Sequence, residues 1–319
     1  MLEVAFNSAA TFFSNLAQSL LSLIKIMMRS RWGVRLPVPQ KQRCSVLGNG
    51  PSLNDSLANH KEFLLSTELV CVNFFAATDH FTRLRPTNYV LADPNCFTFN
   101  ETTVGREDLH QILAALLQRI DWSMRLYVPN FAKGSYLIRT IESGNPNIEL
   151  VYYNPTIVRG FAWFRHWLYS ANVGMPQAQT VIVTALSLMI NRGFKEIFLF
   201  GADTSWHEQI RLDDQNQLLM KQIHFYDKLK DIAFVPVFSD AHRTKTFTMA
   251  SQFLSLHKVF RGYEVLRNYA DYKGVCILNA SSKSYIDAFE RVQLTRSDNQ
   301  PNSLSDAPAI EQSASRTAE

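Results

Sequence analysis

Gln177-Ala178-Gln179-Thr180-Val181-Ile182-Val183-Thr184-Ala185-Leu186-Ser187-Leu188-Met189-Ile190-Asn191, then Arg192-Gly193-Phe194-Lys195, then Glu196-Ile197-Phe198-Leu199-Phe200-Gly201-Ala202-Asp203, is the stretch that decides the fold. Its first fifteen residues read as an apolar helix, and Gly193 supplies the left-handed stop that helices favour. Residues 196–200 form a near-continuous apolar run, as a strand buried on both faces of a parallel sheet requires. Working outward, further strands are expected over 43–47 (ending at Gly48), 69–75, 88–92 (closing at Asp93), 124–128, 149–153 and 275–278. Residues 108–119 place Leu109, Ile112, Leu113, Leu116 and Leu117 at helical spacing, and a last helix is expected over 284–291. Strands alternating with helices imply an α/β fold, a single Rossmann-like domain whose mostly parallel sheet is covered on both faces. No internal repeat is visible.

The chain has 319 residues, 46% of them hydrophobic and 19% charged, so it can bury a large core and is not a disordered chain. A net charge of +4 is too small to point to nucleic acid. The four cysteines, Cys44, Cys71, Cys96 and Cys276, form no C-x-x-C pair, which disfavours a zinc ribbon or a thioredoxin-type site. Three of them sit in or beside apolar stretches and read as buried small hydrophobes, and the composition suits a reducing compartment.

The two ends differ from the body. Between Glu3 and Lys25 there is no charge, but Asn7, Ser8, Thr11, Ser14, Asn15, Gln18 and Ser22 fall at helical spacing opposite Phe6, Phe13, Leu16, Leu20, Leu23, Ile24 and Met27. The segment is therefore an amphipathic helix, not a span of about 20 apolar residues, and it lacks the features of a signal peptide. Arg29, Arg31, Arg35, Lys41 and Arg43 follow it. That pattern suits peripheral contact with an anionic membrane surface; packing on the body or on another subunit is the alternative. Beyond Ser297 the composition predicts disorder. The expected division is 1–40 (helix and basic linker), 41–292 (α/β domain) and 293–319 (tail).

In an open parallel sheet the site lies beyond the carboxyl ends of the strands. Several predicted strand ends are rich in Asn, Asp, Ser and Gly. In Gly48-Asn49-Gly50-Pro51-Ser52-Leu53 the glycines let a backbone approach a phosphate, while Ser52 or Asn54 fits a helix N-cap equally well. The loop is neither G-x-G-x-x-G nor a Walker loop. Asp203 either orients a base or sugar hydroxyl or caps the next turn. His224 sits between apolar neighbours, as a structural histidine or as a proton acceptor. There is no D-x-D sequence, and Asp93-Pro94-Asn95 lacks a second carboxylate, so no metal and no resident cofactor is expected.

Leu47-Gly48-Asn49-Gly50-Pro51-Ser52-Leu53 resembles the opening motif of bacterial sialyltransferases of the CstII type (glycosyltransferase family 42) and of related flagellin-glycosylation and MptE-like proteins. Cys71-Val72-Asn73-Phe74-Phe75 resembles their second motif, Gly193 to Asp203 a third, and Cys276-Ile277-Leu278-Asn279-Ala280-Ser281-Ser282 the last. The four fall in the same order over residues 43–291. The resemblance implies a GT-A-variant fold and metal-independent transfer of sialic acid or a related CMP-activated acid sugar to a surface polysaccharide or lipooligosaccharide, at the cytoplasmic face of the inner membrane. It further implies that Gly48, Asn49, Gly50 and Ser52 hold the phosphate or sugar, and that Asn73 contacts the donor. Asn279, Ser281 and Ser282 would line the nucleotide pocket. His224, with Asp203, would be catalytic. Thr204-Ser205-Trp206 stands where the family has tyrosines, and His207 is a rival base. The alternatives are an MptE-like pterin pyrophosphokinase using Mg²⁺ and ATP, or a non-catalytic glycan- or nucleotide-binding protein. A nucleotide-sugar donor and a glycan or glycolipid acceptor are the expected partners, nucleic acid is not, and a homo-oligomer stays open.

Overall fold

The computed structural model describes residues 2–227, 232–240 and 244–294. The strands are β1 (Arg43–Leu47), β2 (Glu68–Val72), β3 (Asn88–Val90), β4 (Met124–Pro129), β5 (Ile148–Tyr153), β6 (Glu196–Phe200), β7 (Ile210–Leu212), β8 (Leu218–Met220), β9 (Val235–Pro236), β10 (Cys276–Asn279) and β11 (Glu290–Arg291). The helices are α1 (Leu2–Arg29), α2 (Leu53–Asn59), α3 (Lys61–Ser66), α4 (Asp79–Leu84), α5 (Asn95–Thr98), α6 (Glu107–Gln118), α7 (Tyr136–Gly144), α8 (Ala162–Ser170), α9 (Val181–Arg192) and α10 (Met249–Lys273).

Eight strands form one sheet in the order β11-β10-β6-β1-β2-β3-β4-β5, and every pairing is parallel. This is the α/β Rossmann-like architecture expected from the alternating strands and helices. The chain begins beside the centre with β1, steps outward to β5, then returns to pair β6 on the other side of β1. Right-handed crossovers put the helices on one face while the chain steps one way and on the opposite face once it reverses. The core follows that rule. Leu47, Leu69, Cys71 and Leu126 point into one apolar layer with α6 and α7, while Val46, Val70, Val72 and Tyr127 point into the other with α8, α9 and α10.

Helix α9 ends at Gly193 in the left-handed region, as its sequence requires. Its last residue, Arg192, is buried and pairs with buried Glu68 of β2 at 3.1 Å, while donating to Asn88 Oδ1 at 2.8 Å. Burial pushes the Glu68 carboxyl up, but hydrogen bonds from Lys41, the Arg192 charge and Asn88 outweigh it and hold the group below its ordinary value.

The structure departs from the sequence reading in several places; the strand expected over 69–75, for one, stops at Val72 and gives way to a short 3-10 turn over Asn73–Ala77. No helix forms over 284–291. Ser284 Oγ donates to the Ala202 carbonyl at 2.7 Å and Tyr285 N–H donates to that of Asp203 at 2.9 Å, so tertiary bonds replace the helical ladder. Glu290–Arg291 is instead the short edge strand β11. Helix α10 was not anticipated, and neither was the antiparallel sheet β7-β8-β9 that precedes it. The predicted tail lies outside the described residues from 295 onward. Among the described residues no helix is long and apolar enough to cross a membrane.

Candidate functional site

The sheet reverses direction between β1 and β6, and the loops that leave these two strands face one another. Gly48 N–H donates to the Phe200 carbonyl and Gly50 N–H to the Gly201 carbonyl, each at 2.8 Å. A Cβ on Gly48 would lie 2.5 Å from the Gly201 oxygen, so glycine is required there by contact. Gly201 is required by conformation as well, at φ +61°. The two loops enclose one side of a cavity of about 580 Å³ at the carboxyl ends of β1 to β6. That is the size and place expected of a ligand site in an open parallel sheet.

Gly48, Asn49, Gly50, Asn73, Asp203 and His224 all line this cavity. Two of them carry an unmet polar group. The Asn49 side-chain amide donates to the Val72 carbonyl at 3.2 Å, which turns its oxygen away from β2. The buried Oδ1 atoms of Asn49 and Asn73 have no hydrogen-bond partner among the described residues. Buried acceptors left without a donor are costly and mark places where a ligand completes the bonding. Asn73 and Thr204, both at the rim, have φ of +44° and +50°. Asparagine tolerates that region; for β-branched threonine it is a strained conformation, of the kind that clusters at functional sites.

His224 is placed by its neighbours. Phe225 N–H donates to the Asn49 carbonyl at 3.0 Å, and Asn54 donates to the Phe225 carbonyl at 2.9 Å. The Phe225 ring is buried against Phe75 at 5.4 Å. These contacts fasten the segment to the β1 loop. Asp227 Oδ2 then meets His224 Nδ1 at 3.0 Å and accepts the His224 backbone N–H at 2.8 Å. A carboxylate on Nδ1 fixes the proton there and leaves Nε2 as the acceptor, the arrangement of an oriented general base. His207 does not line the cavity; its ring packs edge-on against Tyr285, 4.3 Å away.

Asp203 and Ser52 are bound to each other. Ser52 donates from its hydroxyl to Asp203 Oδ1 at 2.5 Å and from its N–H to Oδ2 at 3.1 Å. Burial pushes the Asp203 carboxyl above its ordinary value, with the two Ser52 bonds opposing. Ser52 makes no side-chain cap on α2 and does not line the cavity, so its donors are spent on a carboxylate and not offered to a phosphate.

Asn279, Ser281 and Ser282 also stand apart from the cavity. Asn279 donates to Ser284 Oγ at 2.9 Å, Ser281 Oγ accepts Ala202 N–H at 3.1 Å, and Ser282 donates to Asp55 at 2.6 Å. Their placement corrects the expectation that they line a nucleotide pocket: they buttress the β6 loop from behind, because β10 pairs with β6 on the side away from β1.

Other cavity residues went unrecognised in the sequence. Gln179, Thr180, Val181 and Ile182 bring the N-terminus of α9 to the wall, and Thr180 gives it no side-chain cap. Tyr263 of α10 is buried with its hydroxyl 3.3 Å from Thr180 Oγ1. Lys221 is a cationic wall residue. Among the described residues, no group of three or more His, Cys, Asp or Glu side chains is arranged to hold a metal ion.

No family model matches the chain, and no curated protein sequence matches it. Among solved structures it is similar to the MAf glycosyltransferase from Magnetospirillum magneticum AMB-1, at 15% identity and a TM-score of 0.45. The alignment covers 88% of this chain and 38% of that one, so this chain spans well under half the length of that structure.

Proposed function

We propose that the protein is a glycosyltransferase that moves a sugar from a nucleotide donor, most simply a CMP-linked acid sugar such as sialic acid, to a hydroxyl of a surface polysaccharide or lipooligosaccharide. The observation that carries this reading is the one cavity lined by His224, backed by Asp227, together with Asn49 and Asn73, whose buried amide oxygens are unmet.

In this reading Asn49 and Asn73 accept hydrogen bonds from donor groups on the nucleotide or sugar. The acceptor hydroxyl attacks the anomeric carbon, and its proton passes to His224 Nε2. The bond from the anomeric carbon to the phosphate oxygen breaks, and its electron pair leaves with the phosphate. The uncapped N-terminal amides of α9 and the Lys221 ammonium are the groups that meet the developing negative charge. The phosphate is assigned to that wall and not to Ser52, whose donors are engaged by Asp203.

Calorimetric titration with CMP, UDP, GDP and ATP, each with and without Mg²⁺, tests the reading. Metal-free binding of CMP in preference to the others is expected. Binding of ATP alone, and only with Mg²⁺, would replace it with a pyrophosphokinase. Tight nucleotide binding with no transfer from any matching sugar nucleotide would leave a binding protein.

A further inference from the structure

Helix α1 packs on the body through the carboxyl-terminal part of its polar stripe, while Ser8, Thr11 and Ser14 nearer its amino end are exposed. Ser19 and Ser22 are buried against the loop before α8: Ser22 Oγ accepts Arg159 N–H at 2.9 Å and Ser19 Oγ accepts Phe161 N–H at 3.3 Å. Ile26, fully buried, completes the contact. The outward side is apolar instead. Phe13 is 66% exposed, Leu20 54% and Met27 70%, with Leu16, Leu21 and Ile24 between them. The surface continues through the Phe12–Phe161 ring pair, 5.4 Å apart, to exposed Trp163 and Trp167 on α8. A contiguous apolar face of this extent marks a contact surface.

Charge decides what covers it. Lys25, Arg29 and Arg31, at the carboxyl end of α1, line a hollow of about 660 Å³. Among the described residues none of the three has a carboxylate within ion-pair distance. Between Glu3 and Asp55 the sequence has no acidic residue, so a second copy of this helix brings one carboxylate, Glu3, against the three cations. An anionic lipid surface neutralises them all: its acyl boundary takes the leucine and aromatic face, its phosphates take the cations, and tryptophans sit at the headgroup level.

We infer that α1 lies along an anionic membrane surface, with its outward face in the headgroup–acyl boundary and a lipid phosphate in the Lys25–Arg29–Arg31 hollow. That hollow shares Phe131, Pro155 and Ile157 with the cavity that holds His224. Resting on the transfer reading above, the acceptor is therefore a glycan anchored in the same membrane through a phosphate-bearing lipid.

The test is flotation of the full chain with phosphatidylcholine vesicles, with and without phosphatidylglycerol. Binding to the anionic vesicles is expected, with Lys25→Gln/Arg29→Gln/Arg31→Gln weakening it about 100-fold. Leu20→Asp/Ile24→Asp should abolish it while leaving circular dichroism and Tm unchanged, because both positions face outward. Equal binding to neutral and anionic vesicles, no binding to either, or unchanged binding by both variants overturns the inference. Self-association that Leu20→Asp/Ile24→Asp removes, in a protein that does not float, assigns the face to a second copy and overturns it too. Flotation reads no turnover, so its failure leaves the transfer reading intact, and an inactive protein that floats leaves this one intact.

Discussion

His224 and Asp227 are three residues apart, and their contact sets a carboxylate on Nδ1 of a histidine that the sequence leaves ambiguous; in the proposed transfer that histidine is the general base. His224→Ala is expected to lower turnover by about 10²- to 10⁴-fold with little change in nucleotide affinity, measured by initial rates beside calorimetry. Asp227→Asn should give a smaller loss in the same direction, because the ring stays but loses the carboxylate that orients it. Unaltered rates in His224→Ala would remove the residue from this role. Asp203 is the contrasting case, since both its oxygens are occupied by Ser52. It reads as the clamp that shapes the β1 loop, and Ser52→Ala should destabilise the fold by about 1–3 kcal/mol, seen in urea denaturation. Gly48→Ala pushes a Cβ against the Gly201 carbonyl. A comparable loss of about 1–3 kcal/mol follows from overpacking, with weaker nucleotide binding because the two loops are forced apart.

The elements that were legible in the sequence are those whose residues alone satisfy their backbone and bury their faces. Helix α9 and strand β6 are of that kind, with an uninterrupted apolar run and a glycine stop. The helix expected over 284–291 failed because the bonds that hold this segment come from Ala202 and Asp203, some eighty residues away. Helix α10 stayed hidden because exposed Phe253, Leu254 and Tyr272 put apolar residues on more than one side and blur the helical period. With α10 unseen, Tyr263 could not be placed at the cavity. Strands β7 to β9 are two or three residues long, too short to show alternation. At this scale the buried link between α9 and β2 is open to test. Arg192→Met strands the Glu68 carboxylate and should cost about 3–5 kcal/mol. Adding Glu68→Gln should recover much of that loss, since the amide oxygen still accepts the Lys41 N–H. Equilibrium denaturation of the single and double variants checks both figures.

For the molecule as a whole, the same pair sets a response to acid. Glu68 titrates below its ordinary value in the folded protein. Its contribution is therefore complete above the unfolded-state value and disappears as pH falls through the lower folded-state value. Asp203 acts in the opposite sense: its carboxyl is raised by burial, so its contribution is complete at low pH and is lost as pH rises through the folded-state value. Tm measured across the carboxylate range should fall toward acid in the wild type, and Glu68→Gln should flatten that fall. An equally steep fall in the variant would assign acid sensitivity elsewhere. The site itself was partly legible at this scale. The strand-end rule brought Asn49, Asn73 and Asp203 to one cavity, where His224, singled out on other grounds, joins them, but it took Asn279 and Ser281 along as well. Those two lie at a strand end on the far flank of β6, and strand order is not written in any local pattern.

The position of β1 between β2 and β6 also has a consequence for biosynthesis. One flank of β1 finds its neighbour soon after translation of Arg43, whereas Glu196, which closes the other flank, is 153 residues further along. At ordinary elongation rates that delay is roughly ten to thirty seconds. A nascent chain can already hold the β1–β5 half while the loop at Asn49 still lacks its counterpart, so the cavity between the two loops is completed late, only when the ribosome has delivered the second half.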